Sequence, residues 1–305
     1  MSAAAAAIRT EGLTKTYGRK VRGIEDVSLE VEEGEVFGFL GPNGAGKTTT
    51  IRTLLGLMRP TGGRAEVFGL DVRRRSVEVR ESVGNLPGEF TLEDRMTGEG
   101  LLRFFARLRG VSDLGYAWEL AGRLGADLKR PMRRLSRGNK QKIGLVQAMF
   151  HRPPLLILDE PTGGLDPLVQ EEFLDIIEEV RGEGRTVFFS SHVLAEVERV
   201  CDRVGIIREG QLVDVEPTRA LVDKAFRHVV LTFDAPVDPR PFGGLRGVED
   251  VRAQGSQVSF TLYEAPDEMV KLAAQHRLVS MEYERPTLEE IFLTYYGKGE
   301  NGGGR

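Results

Sequence analysis

Only one cysteine, Cys201, occurs among 305 residues, which excludes an intrachain disulfide framework and a cysteine-rich zinc site. Because it heads the apolar run CDRVGII, the lone thiol is expected to be inert core. No apolar stretch approaches the roughly 20 residues that cross a bilayer. The start, MSAAAAAIRT, lacks a basic segment followed by a long apolar core, so no signal peptide is expected. Net charge is only −4, too small for a general pull toward nucleic acid or anionic lipid. Lysine is scarce, nine against 33 arginines, a bias of genome composition rather than function. No internal repeat of roughly 20–50 residues is found. On these grounds a soluble cytoplasmic protein that reaches a membrane only through a partner is expected.

What is present suffices for a packed core. At 40% hydrophobic and 29% charged residues, one large or two smaller domains are expected. The segment VSLEVEEGEVFGFL reads as strand and delivers the chain into the glycine-rich GPNGAGKTT (41–49). TTTIRTLLGLM (48–58) follows with apolar residues at helical spacing and Pro60 beyond its end. From about 90 to 150 helix formers predominate, in LLRFFARLRG and QKIGLVQAMF, and predict a helical subdomain inserted in an α/β core. LLILDE and TVFFSSH are continuous apolar runs of buried strands, and QEEFLDIIEEVR is an amphipathic helix between them. A boundary near 217–227 separates residues 8–225 from a smaller α+β domain, 226–297. There HVVLTFDAP, QVSFTLYEA and HRLVSMEYE alternate as half-exposed strands do. Residues 1–7 and 298–305 are expected to be disordered. Arg73–Arg75 reads as a solvated face.

Strand, glycine-rich loop and helix in that order form a phosphate-binding loop. Gly41, Gly44 and Gly46 let the backbone curl so that N–H groups converge on phosphates. Lys47 adds a point charge near the β- and γ-phosphates, and the Thr48 hydroxyl is placed for Mg²⁺. The helix that follows points its positive end at the same anion. Asp159 and Glu160 close a buried strand and divide the work: Asp159 holds the metal, and Glu160 acts on the attacking water as general base. His192, at the end of another strand, is expected to meet the γ-phosphate and hold the base in line. Finally LSRGN, comprising Leu135, Ser136, Arg137, Gly138 and Asn139, precedes a helix and makes a second anion site. A single phosphate has little use for two such sites, whereas a head-to-tail dimer closes the second over its partner's nucleotide.

This ordered set resembles the ATP-binding subunits of ABC transporters over about residues 8–225. The resemblance implies a P-loop ABC cassette, ATP and Mg²⁺ as cofactors, and ATP hydrolysis coupled to transport. It makes Gly41–Thr49, with Pro42, Asn43, Ala45 and Thr49, the Walker A loop, and Asp159 and Glu160 the end of Walker B. It further implies a signature acting in trans at 135–139, a D-loop of Gly164, Leu165 and Asp166, and His192 as the switch histidine. Tyr17 falls where the family stacks an aromatic ring on adenine, although a tyrosine on an early strand also serves as core. Two departures stand out. The signature reads LSRGN rather than LSGGQ. In VGNLPGEF, Gly88 occupies the position of a metal-contacting glutamine, and Glu89 beside it either substitutes through water or is simply solvated. PTLEEIFLTYYG (286–297) is similar to the end of bacterial drug and antibiotic exporter ATPases, and as a sequence also reads as an amphipathic packing helix.

The resemblance thus implies a bacterial protein on the cytoplasmic membrane face, held by a separate permease and paired with its own copy or a related subunit. No nucleic-acid partner is expected. An importer subunit, or a non-transport ATPase of the translation-factor or iron–sulfur assembly type, is the alternative. A GTPase is excluded, because NKQK (139–142) lacks the aspartate of a guanine-reading NKxD.

Overall fold

A computed structural model describes residues 5–18, 21–88, 95–224, 226–284, 286 and 290. The contacts divide the chain after Thr218 into two units.

In the first unit, strand β1 (Ala6–Tyr17) pairs antiparallel with β2 (Val21–Glu32). Strand β3 (Val36–Leu40) runs through the loop 41–46 into helix α1 (Lys47–Leu54). Strands β4 (Gly62–Val67) and β5 (Leu70–Asp71) complete a four-stranded antiparallel sheet in the order β2-β1-β4-β5. Helix α2 (Ser76–Glu81) leads to β6 (Val83–Leu86). Helices α3 (Gly98–Arg109), α4 (Gly115–Arg123) and α5 (Arg137–Met149) then form the inserted helical part. The chain returns through β7 (Leu155–Asp159), α6 (Pro167–Gly182), β8 (Thr186–Ser191), α7 (Leu194–Val200), β9 (Arg203–Arg208) and β10 (Gln211–Pro217).

The second sheet has the order β10-β9-β3-β8-β7-β6, parallel except for the β10–β9 pair. VFGFL, LLILD and TVFFSS are buried along their whole length, as a parallel sheet covered on both faces requires. Phe37 stacks on Phe188 with ring centroids 5.7 Å apart, and Phe39 packs tilted against the same ring at 5.3 Å. They join Ile8, Val27, Ile51 and Leu54 in one core, so burial locks both sheets and α1 together. This places the C-terminal ends of β3, β7 and β8 side by side, at the edge where α/β sheets bind ligands.

The N-terminal expectation is corrected. Ala6 and Ala7, assigned to a disordered 1–7, belong to β1, where Ala6 pairs with Glu32 and Ala7 is fully buried. A polyalanine run carries too little apolar bulk to announce a strand, and only its pairing with β2 makes it one.

After helix α8 (Thr218–Lys224), the second unit is an antiparallel sheet in the order β12-β13-β11-β14. Its strands are β11 (Arg227–Phe233), β12 (Val248–Gln254), β13 (Gln257–Leu262) and β14 (Leu278–Glu284). Helices α9 (Arg240–Gly243) and α10 (Asp267–Ala273) pack on it around Phe233, Phe242 and Phe260. The β14 run reads as half-exposed in sequence, but all seven of its residues are exposed at the edge of the sheet. Apart from Pro286 and Glu290, the 286–297 segment lies outside the described residues, as does the 298–305 tail. No helix among the described residues is long and apolar enough to cross a membrane.

Candidate nucleotide site

The loop between β3 and α1 wraps around its own lysine. Gly44 and Gly46 sit at φ of 82° and 109°, conformations that side chains rarely adopt, and Gly46 opens α1. Lys47 is 6% exposed and donates to the carbonyls of Gly41 and Pro42, so the loop curls about an ammonium. Pro42, Asn43, Gly44, Ala45, Gly46, Lys47, Thr48, Thr49 and Glu160 line a cavity of about 260 Å³ whose rim includes Tyr17 and Gly23. Tyr17 is not core: it is 39% exposed and its hydroxyl lies 3.2 Å from Thr49 Oγ1.

The strand ends supply the carboxylates. Asp159, 1% exposed, accepts from Thr48 Oγ1 at 2.7 Å and from Ser190 Oγ at 2.6 Å. Glu160 turns off β7 with φ of 51°, a left-handed backbone that costs a residue with a side chain roughly 1–3 kcal/mol. Its N–H donates to Ser190, to the carbonyl at 3.2 Å and the hydroxyl at 3.1 Å. Its carbonyl accepts from Gln141 Nε2 and from the Gly163 N–H, both at 3.2 Å. The Glu160 carboxylate bridges Lys47 Nζ at 3.0 Å and His192 Nδ1 at 2.6 Å. An ionised carboxylate only accepts, so Nδ1 is the donor in this contact.

A second cavity, about 470 Å³, is lined by Asn43, Thr48, Arg52, Gly88, Arg137, Gln141, Asp159, Glu160, Gly163 and His192. Gly88 lies beside the metal-binding candidate: a Cβ there would lie 2.9 Å from Asp159 Oδ2. Glu89 lies outside the described residues. No cluster of three or more His, Cys, Asp or Glu side chains that suits a metal occurs among the described residues. The oxygen pair of Thr48 and Asp159 nonetheless suits Mg²⁺, which takes one or two protein oxygens and completes its shell with phosphate and water.

Residues 135–139 divide their labour. Ser136 is exposed, caps α5 and accepts the Asn139 N–H at 3.3 Å. Arg137 is also exposed. Leu135 is buried against Leu101, Met132 and Ile143, and Asn139 Oδ1 accepts the Asp127 N–H at 2.9 Å, so both anchor the segment from within. Gly138 is pressed against the Gly164 carbonyl, 2.4 Å from where a Cβ would stand. Gly164, Leu165 and Asp166 pass beneath it; Leu165 is buried, and Asp166 caps α6 by accepting the Val169 N–H. Cys201 is buried, and burial pushes its thiol well above the usual range. In the 73–75 run, Arg75 pairs with Glu78.

Two site residues carry no sequence signal strong enough to be found. Ser190 stands two places before His192 in a run that reads simply as strand, and only the β7–β8 pairing brings it to Asp159. Gln141 looks like any polar residue in the first turns of a helix.

Known proteins are similar to this chain. A family model described as ABC transporter matches residues 24–163. The bacitracin transport ATP-binding protein BcrA of Bacillus licheniformis is 39% identical over 217 residues, 69% of each chain. The linearmycin resistance ATP-binding protein LnrL of Bacillus subtilis is 30% identical over 308 residues, 95% of this chain and 98% of that one, and so spans both units. A solved ATP-binding subunit of an ABC transporter superposes with a TM-score of 0.65 at 28% identity, covering 88% of this chain and 99% of that chain.

Proposed function

This chain is an ATPase subunit of the ABC transporter family, and we propose that it powers a membrane exporter through ATP-driven, head-to-tail closure of two subunits. One observation carries the hydrolytic reading: the Glu160 carboxylate, bridged to Lys47 and His192, opens onto the same cavity as Thr48 and Asp159.

The loop amides and Lys47 hold the phosphates while Tyr17 lies against the adenine. The triphosphate competes with Glu160 for the Lys47 ammonium, which releases the carboxylate to take a proton from the attacking water. His192 keeps that carboxylate in line through Nδ1 and offers Nε2 to the γ-phosphate. Thr48 and Asp159 would hold Mg²⁺, whose chemistry when bound is to neutralise charge on the β- and γ-phosphates. Ser136 and the first amides of α5 close over the nucleotide of the second subunit. Leu135 and Asn139 fix that segment, and the D-loop residues Gly164, Leu165 and Asp166 support it from below.

Two named relatives act in bacitracin transport and linearmycin resistance, which supports export of an antibiotic-like molecule through a separate permease at the cytoplasmic face of a bacterial membrane. The unit after Thr218 is proposed as an accessory domain of that exporter class, since the relative that spans it is a resistance protein.

The test is Glu160→Gln in the full-length chain. Turnover is expected to fall about 10²–10⁴-fold, the usual share of a general base, while ATP is still bound and the dimer accumulates on gel filtration. Turnover equal to the parent would remove Glu160 from this role. Co-purification of a polytopic membrane protein supports the transporter reading, whereas recovery with ribosomal or assembly proteins moves the chain to the non-transport class.

A further inference from the structure

The Glu160 peptide is clamped from both sides by groups from two other elements. Ser190 of β8 takes its N–H, and the Gln141 amide of α5 donates to its carbonyl at 3.2 Å and to that of Pro161 at 3.0 Å. Gln141 is 7% exposed, and a single nitrogen, Nε2, makes both bonds. Both of its protons are therefore committed to the turn that carries the carboxylate. That turn needs holding, because Glu160 has the left-handed φ of 51° without being a glycine.

Gln141 lies on the helix whose first residues, with Ser136 as the cap, are the signature segment. Further contacts bind this helix start to the same turn: Gly138 on the Gly164 carbonyl, the Arg137 stem 3.7 Å from a Cβ at Gly164, and Lys142 Nζ 3.7 Å from Asp166 Oδ2. The helix start and residues 160–166 are therefore packed together at several points.

The structure assigns Gln141 as a positioning residue: from the helix that carries Ser136, it holds the Glu160 backbone and so ties the set of the catalytic carboxylate to that of the signature segment. Closure of Ser136 on a partner's nucleotide then reaches the chain's own base through this buried amide, beside the contacts at Gly138, Arg137 and Lys142. This assignment rests on the reading of Glu160 as general base. A buried glutamine that merely satisfied two carbonyls would contribute to folding and leave turnover alone.

The two roles separate in the full-length chain by comparing Gln141→Met, which keeps volume and removes both donors, with Gln141→Glu. For Gln141→Met, kcat is expected to fall about 10–100-fold, as for other outer-shell partners of catalytic groups. KM for ATP should stay within about threefold, because the 41–49 loop is untouched. In Gln141→Glu the ionised carboxylate faces two carbonyls with no proton to donate. Its turnover relative to the parent should therefore rise as pH falls from 8 to 6 and the new carboxyl regains a proton. Turnover of Gln141→Met within about twofold of the parent overturns the assignment. So does a loss confined to KM, or a Gln141→Glu ratio that does not change with pH; the latter measurement decides if the methionine variant fails to fold. Glu160→Gln run alongside distinguishes the failures. Normal turnover there removes the underlying reading, and this assignment with it. Loss there with normal Gln141→Met turnover removes only the assignment.

Discussion

Gly88→Ala should damage this enzyme, and Gly88→Gln, which restores the side chain of the family pattern, should not improve it. The reason is distance. A Cβ at Gly88 would stand 2.9 Å from Asp159 Oδ2 and 3.1 Å from its Cγ. Ordinary contact requires about 3.5 Å, so one partner must yield by roughly half an ångström. Asp159 cannot yield cheaply: it is 1% exposed and fixed by hydroxyls at 2.7 Å and 2.6 Å. Displacing Oδ2 stretches its bond to Thr48, the pair assigned to the metal, and catalytic groups tolerate only about 0.5 Å of misplacement. We expect kcat/KM for MgATP to fall about 10–100-fold, equivalent to about 1.4–2.8 kcal/mol of transition-state stabilisation. The Mg²⁺ concentration for half-maximal turnover should rise with it. The assay is phosphate release against Mg²⁺ at saturating ATP, with the melting temperature as a control for folding. Turnover within about twofold of the parent and an unchanged Mg²⁺ midpoint would refute the argument that Gly88 is glycine because Asp159 is there.

Two further outcomes follow from buried groups away from the site. Burial, with Arg109 nearby, lowers the His151 imidazole to about 4. Between pH 6.5 and 4 the unfolded chain takes a proton that the native one refuses, so stability should fall by up to about 3 kcal/mol as pH drops through that window. Urea unfolding at pH 7.5 and 5 should show this loss, and His151→Phe should flatten it; an equal loss in both proteins would exclude His151 as its source. Cys201, buried with its thiol pushed up, should resist iodoacetamide at pH 8 in the folded chain and react once urea is added. Rapid labelling of the native protein would contradict the packing around β9.

The readable part of the site and the unreadable part differ in physical kind. Lys47, Asp159, Glu160 and His192 sit at ends of runs whose apolar pattern declares a strand, and their chemistry needs particular side chains at particular offsets. Ser190 and Gln141 act through hydrogen bonds to groups 31 and 19 residues away, and no local pattern encodes such pairs. Leu135 and Asn139 carry the motif letters but turn inward, because a helix start must be anchored as well as displayed. Strand β12, with Glu, Asp, Arg and Gln in seven residues, is too polar to alternate and owes its existence to pairing with β13.

By itself the sequence determined the glycine-rich loop, the carboxylates at the end of one buried strand, the histidine at the end of another, the inserted helices and the presence of a second unit. These follow from local periodicity and from chemistry confined to a few consecutive residues. Only the tertiary structure decided that Glu160 sits between Lys47 and His192, that Gly88 leaves room for Asp159, and that the signature helix grips the catalytic turn. Those facts depend on which strands lie side by side and on distances of a few tenths of an ångström, which arise when the parallel sheet packs and not before.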